Sequence, residues 1–342
     1  VTPSRSPAAM LAAAGWADAL RRPLAGDASN RKYERLTRAG TGAAAVLMDA
    51  DPAKGEDVRP FLRIARHLAA QGLSAPAILA EDVAQGFLLI EDLGDALFAR
   101  ILAAEPGREV ELYAPAAAAL ARLHAAPLPP GIARYDAALM GRMAALALDW
   151  YLPGATGLAR DPDASAAFAA MVAGLKDRLA PGEPVLVLRD FHAENLLWLP
   201  ERDGAARVGL LDFQDAMAGP RAYDLVSMLQ DARRDVTPAA EAELRARFAA
   251  DEGLDPQAFA AEYAFCGAQR NLRIIGVFAR LSMHYGKPHY VDLIPRVWDL
   301  LQRDLSHPAL ADLARAVAAL LPPPDPATLR RIKDECGRHP LH

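Results

Sequence analysis

The rhythm of apolar and polar positions changes along the chain. Residues 32–36 and 43–48 are short strand-like runs on either side of a Gly-Thr-Gly turn, and residues 77–80 and 87–90 flank a Gln-Gly turn, so both pairs read as hairpins. Between them, Phe61, Leu62, Ile64, Ala65 and Leu68 fall at helical spacing and predict one amphipathic helix over residues 59–71. Another helix is predicted over residues 7–20, with loops at 24–30 and 52–58. Past Gly94 the pattern lengthens into helices at 96–103, 109–124, 137–151 and 164–179. A second helical series follows at 223–233, 239–251, 256–285, 290–305 and 309–320. Two apolar runs, 185–188 and 208–211, form a strand–loop–strand insertion between the two series. The expectation is an α+β chain with two lobes: a small β-rich N-lobe over 1–93 and a large, mostly helical C-lobe over 94–342.

Composition narrows the class. The 342 residues suffice for two lobes with a sizeable core, and 52% hydrophobic with 24% charged residues is ordinary for a soluble globular protein. A net charge of −5 argues against a broadly basic surface for nucleic acid. No apolar run approaches the roughly 18–20 residues that span a bilayer. Cys266 and Cys336 have no Cys-x-x-Cys spacing, and no zinc-type His cluster accompanies them, which fits a reducing compartment. The expectation is a cytoplasmic protein, monomeric by preference, with neither nucleic-acid nor membrane partners.

The chemistry concentrates where the two apolar runs end. The first, 185–195, reads Val-Leu-Val-Leu-Arg-Asp-Phe-His-Ala-Glu-Asn and delivers Asp190 and then Asn195 into a polar loop. The second, 208–214, reads Val-Gly-Leu-Leu-Asp-Phe-Gln and delivers Asp212. A hydroxyl that attacks a γ-phosphate must be oriented and must lose its proton, and Asp190 can do both. Magnesium takes hard oxygen donors, which Asn195 and Asp212 supply, with Phe213 placed to pack beneath Asp212. Singly, each residue is more commonly a turn or strand-end cap. Their joint occurrence on two closely spaced strand ends points to phosphoryl transfer from ATP with Mg2+.

Other segments fill in the pattern. Residues 26–33, Gly-Asp-Ala-Ser-Asn-Arg-Lys-Tyr, form a candidate phosphate loop in which Asp27, Ala28, Ser29, Asn30 and Arg31 would meet the nucleotide; the ending is not that of a Walker A loop. Glu91 and Leu93 sit where strands give way to helices, a place for backbone groups to pair with an adenine edge. Asp224 opens a predicted helix and is read as structural support for the catalytic loop.

These residues resemble the aminoglycoside phosphotransferase/choline kinase family, which has a protein-kinase-like fold. Its approximate pattern, His-Gly-Asp-x-His-x-x-Asn, Ile-Asp-Phe/Trp and Gly-x-x-x-Tyr-Asp-Leu, stands here as Leu188 to Asn195, Leu211 to Phe213, and Gly219 to Leu225. Within the family, stretches such as 87–94, 268–281 and 284–290 look most like the anomeric kinases of N-acetylmuramate and N-acetylglucosamine from bacterial cell-wall recycling. The resemblance implies ATP-dependent phosphorylation of an amino sugar's C1 hydroxyl to the α-1-phosphate. Glu194 and Gln214 then become candidate sugar contacts, and Arg270 and Arg273, three apart on one predicted helix, candidates for a carboxylate or phosphate. Other readings are an aminoglycoside or other small-molecule phosphotransferase and a nucleotide-binding pseudokinase. The chain departs from the pattern at Leu188, in place of the loop His, and at Met48, where the strand lysine of the broader fold would fall; either Arg31, Lys32 or Arg35 would then supply the charge from the neighbouring strand, or nucleotide binding would lean on magnesium and backbone donors.

Overall fold

The computed structural model describes residues 5–24 and 30–339. Along its first part run α1 (Ala8–Ala13), β1 (Leu20–Pro23), β2 (Lys32–Thr37), β3 (Ala44–Asp49), α2 (Arg59–Ala70), β4 (Ile78–Asp82) and β5 (Phe87–Glu91). Then come α3 (Phe98–Ala104), α4 (Glu109–His124), α5 (Ala137–Ala144), α6 (Leu152–Thr156) and α7 (Pro162–Leu179). Four short strands follow: β6 (Val185–Val187), β7 (Leu196–Trp198), β8 (Val208–Leu210) and β9 (Met217–Gly219). The chain closes with α8 (Tyr223–Leu229), α9 (Pro238–Asp251), α10 (Pro256–Met283), α11 (Ile294–Leu305), α12 (Ala311–Leu320) and α13 (Pro326–Asp334). The fold class is α+β.

Several elements differ from the sequence reading. The opening helix stops at Ala13, and the residues after it reach an edge strand, β1, whose exposed side chains carry no burial alternation. The helix expected over 137–151 ends at Ala144, and residues Ala147–Tyr151 form a π turn before α6. Pro153 has no N–H to return to Asp149, and the wider turn instead closes from Leu152 N–H to the Ala147 carbonyl. Strands β7 and β9 and helix α13 were not expected.

By its contacts the chain forms two compact units, Val1–Gly131 with Ala193–Ala216, and Ile132–His192 with Met217–His342. The change from strand to helix falls near Gly94, inside the first of them. That unit holds an antiparallel five-stranded sheet in the order β1-β2-β3-β5-β4. One face, with Leu36, Ala45, Leu47, Phe87 and Leu89, is covered by Met10, Leu11 and Trp16. Burying each of these large side chains contributes about 1.5–3 kcal/mol. Cross-strand register sets Tyr33, Met48 and Leu88 on the opposite face, with Arg35, Val46 and Ile90 beside them. The β7–β8 pair belongs to this unit as well.

In the second unit, β6 pairs antiparallel with β9. Helix α10 is its backbone: Asp255 caps it by accepting Ala258 N–H at 2.8 Å, Pro256 opens the first turn, and buried residues recur along its length. Gly276 lets the helix lie directly on the Leu146–Ala147 backbone. No described helix is long and apolar enough to cross a membrane.

Candidate active site

The second unit builds the Asp190 turn. β6 is buried throughout and passes to Leu188, also buried. Asp224, wholly buried in the first turn of α8, accepts the backbone N–H of Leu188 at 2.5 Å and of Arg189 at 2.8 Å. Burial pushes the Asp224 carboxyl up to about 7 against the pull of those two donors, and the nearby Asp190 adds to the rise. Arg189 is held at φ 73°, a left-handed conformation that costs a non-glycine residue about 1–2 kcal/mol. Ser227 Oγ donates to the Arg189 carbonyl at 3.4 Å, and the Arg189 guanidinium lies 5.7 Å from the Tyr135 ring centre. The half-buried Asp190 follows directly from this constrained turn.

Around Asp190 the unit gathers cations and tyrosines. Arg270, buried on α10, donates through Nη1 to the Gln230 carbonyl at 3.1 Å. Burial depresses its pKa, while Tyr223, Asp231 and Asp190 oppose that fall. Arg273, half-buried, is also desolvated, but Tyr223, Tyr135 and Asp190 together outweigh burial and hold it above its usual range. The two arginines thus both act electrostatically on Asp190. Tyr135 and Tyr223 meet edge to face with ring centres 5.1 Å apart, and Gln269 Nε2 donates to Tyr135 Oη at 3.2 Å. His192 is buried and driven towards its neutral form by burial, with Asp231 opposing. Sequence reasoning missed the roles of Tyr135, Tyr223, Asp231 and Gln269. Tyr135 stands far upstream of the loop, outside any spacing pattern, and only the fold brings it there.

The first unit carries the other strained turn. Asn195 and Asp212 extend from β7 and β8, and Leu211 N–H donates to the Asn195 carbonyl at 3.0 Å, which sets the two segments side by side. Asp212 has φ 56°; it and Arg189 are the non-glycine residues with positive φ among those described. Strain of this kind concentrates at functional positions. Gln214 Nε2 donates to Asp212 Oδ1 at 2.5 Å, so Gln214 orients this carboxylate as well as standing near it. Phe213 is buried and stacks on Phe61 of α2, ring centres 4.8 Å apart. Glu194 is exposed. An amide carbonyl and a carboxylate suit magnesium, which commonly takes few protein ligands and completes its shell with phosphate and water oxygens. No three His, Cys, Asp or Glu residues converge on a metal position among the described residues.

Of the nucleotide candidates, Asp27, Ala28 and Ser29 lie outside the described residues. Asn30 N–H donates to Glu56 Oε1 at 3.2 Å, and Arg31 Nε pairs with Glu56 Oε2 at 2.9 Å. Glu91 pairs with Arg202 at 2.5 Å, and its backbone N–H is bonded to the Ala77 carbonyl at 2.8 Å. The N–H of Glu91 is therefore already taken and is not offered to an adenine edge. Leu93 is half-buried just beyond.

Comparison with known proteins agrees with this chemistry. Residues 21–264 match the model of the phosphotransferase enzyme family. An N-acetylmuramate/N-acetylglucosamine kinase of Caulobacter vibrioides is 42% identical over 90% of this chain and 93% of its own. One of the same name from Pseudomonas aeruginosa is 35% identical over 87% of this chain and 88% of its own. Among solved structures, an ADP-bound aminoglycoside phosphotransferase matches with a TM-score of 0.53 at 16% identity, covering 83% of this chain and 92% of that one. That likeness establishes the kinase-like fold.

Proposed function

The chain belongs to the phosphotransferase enzyme family, and from that premise we propose that it is an ATP-dependent kinase of N-acetylmuramate and N-acetylglucosamine, forming the α-1-phosphate in the recycling of cell-wall sugars. The observation that carries the reading is the 42% identity, over nearly the full length of both chains, with a relative of that name.

In this reading Asp190 accepts a hydrogen bond from the C1 hydroxyl and turns its oxygen towards the γ-phosphorus. As the new O–P bond forms, the bond from the γ-phosphorus to the ADP oxygen breaks, and the hydroxyl proton passes to Asp190. The Asp224 clamp and the left-handed Arg189 fix where that carboxylate points, so alignment is built in before substrate arrives. Asn195 and Asp212 would hold Mg2+, with Gln214 fixing the aspartate, and the ion would neutralise charge on the phosphates. Arg270 and Arg273 supply positive charge beside Asp190. This favours an acceptor bearing a carboxylate, as N-acetylmuramate does, and disfavours a polycationic aminoglycoside. Asp190, Asn195 and Asp212 are all present, which speaks against a pseudokinase.

The test is to incubate the purified chain with Mg·ATP and each sugar, follow ADP release, and locate the phosphate by phosphorus NMR. Phosphate on C1 of both sugars, with no turnover of kanamycin, is expected. Failure to phosphorylate either sugar would refute the substrate assignment.

A further inference from the structure

Helix α10 is packed on nearly every side, and the few positions it leaves open fall on one line. From Tyr263 to Met283 every residue is buried except Arg273, Val277, Arg280 and Leu281. Spacings of four and three residues set Arg273, Val277 and Arg280 one above the other on the same face. The line starts at the reacting end of the site, because Arg273 hydrogen-bonds to Tyr223 and interacts with Asp190. Arg280 comes seven residues later, roughly 10 Å further along the axis at about 1.5 Å per residue. The Cα–Cβ bond of a helical residue tilts towards the N-terminus, so the Arg280 side chain leaves the helix on the Arg273 side.

Arg280 is half-buried, its Nε is shielded from solvent without a hydrogen-bond partner, and no carboxylate pairs with its guanidinium among the described residues. A desolvated guanidinium is costly unless an anion meets it. The other arginines of this helix are placed differently: Arg270 is buried and donates to the Gln230 carbonyl, and Arg273 belongs to the reacting end. Beside the line runs the Ala147–Tyr151 π turn, and Gly276 lets α10 lie on the backbone that leads into it. That turn carries the half-buried Trp150, whose ring centre is 6.3 Å from that of His284, one turn beyond Arg280. π turns that interrupt helices recur at functional positions. Within the second unit, α10 thus offers a cation at each end of the line, an apolar Val277 between them and an aromatic ring at the far end.

We propose that Arg280 reads the acidic substituent of the acceptor. With the C1 hydroxyl at Asp190, the lactyl carboxylate of N-acetylmuramate meets the Arg280 guanidinium; N-acetylglucosamine, which lacks that group, makes no such contact. The inference rests on the amino-sugar reading and adds to it the residue that sets the preference between the two sugars.

The experiment uses the full chain with Mg·ATP and measures kcat and KM for each sugar. In Arg280→Met, the ratio of kcat/KM for N-acetylmuramate to kcat/KM for N-acetylglucosamine should fall about tenfold or more from the parent's, the loss expected for a charge-assisted carboxylate contact. The fall should come mainly through KM for N-acetylmuramate, because the contact is made before and during the reaction alike. Arg280→Lys should restore part of the ratio. Thermal unfolding checks that each variant is folded, and Arg280→Gln carries the same test if the methionine variant is not. A ratio that is unchanged or raised overturns the proposal, as does a larger fall in Arg270→Met or Arg273→Met. A parent active on N-acetylglucosamine alone overturns it too, while leaving the kinase reading intact. A parent active on neither sugar refutes the substrate assignment and this proposal with it.

Discussion

Asp224 is a buried carboxylate whose two acceptor oxygens serve the consecutive N–H groups of Leu188 and Arg189. Asp224→Ala would leave both donors without a partner, at a cost of about 2–4 kcal/mol, and would release the Arg189 turn. Asp224→Asn keeps one acceptor and should lose about half as much. Urea unfolding measures both, and kcat should fall further than stability predicts, since the turn orients Asp190. Asp190 itself is different. It is half-buried, and in the proposed mechanism it serves chemistry rather than the core, so Asp190→Asn should lower kcat by about a hundred- to ten-thousandfold with its unfolding midpoint unchanged. Near-normal turnover would exclude Asp190 as the group that handles the proton. At this scale the letters mark residue types at a fixed spacing, Asp190, Asn195 and Asp212, and the variant above tests the role proposed for Asp190. The sequence was not legible where the requirement is conformational: nothing in the letters marks Arg189 and Asp212 as left-handed. Nor could it show that Gln214 bonds Asp212 or that Arg270 lies buried beside His192 and Asp231.

Elements with a strong burial period were readable, those defined by pairing were not. α2 and α4 carry enough apolar residues on one face to be found from sequence, whereas β7 and β9 are three residues each, too short for any alternation to register. They exist because β6 and β8 offer them hydrogen bonds. Glycines inside helices make the same point, since the letter does not tell packing from tolerance. In α10, a methyl on Gly276 would run into the backbone of Leu146 and Ala147, which cannot swing aside as a flexible side chain could. In α7, a methyl on Gly174 meets nothing within 4 Å. Gly276→Ala should therefore destabilise by about 3 kcal/mol or more. Gly174→Ala should stabilise by about 0.5–1 kcal/mol through the ordinary helix preference. Denaturant melts of the two variants should move in opposite directions; equal shifts would show that the α10 contact is not close.

At the scale of the whole molecule, the net charge of −5 says little about how stability follows pH; a buried carboxylate says more. Asp304, on α11, is 5% exposed and accepts Gln230 Nε2 at 2.8 Å and Asn271 Nδ2 at 3.1 Å. Burial pushes its pKa up to about 8; the Gln230 and Asn271 donors and Arg303 pull it down, and Glu241 adds to the rise. In the unfolded chain an aspartate titrates near 3.9. Between about pH 4 and pH 8 the folded chain therefore keeps a proton that the unfolded chain has released. By linkage, that proton's contribution is fully present below about pH 4 and is lost as pH rises through about 8. Asp304→Asn removes the titration. Asn271 Oδ1, which has no hydrogen-bond partner among the described residues, can accept from the new amide. The variant's stability should thus decline less steeply than the parent's between pH 5 and pH 8, by an amount on the order of 1 kcal/mol or more. Urea midpoints measured at several pH values across that range decide it. Parallel curves for the two proteins would mean that Asp304 is ionised in the folded chain throughout, with its hydrogen bonds outweighing burial.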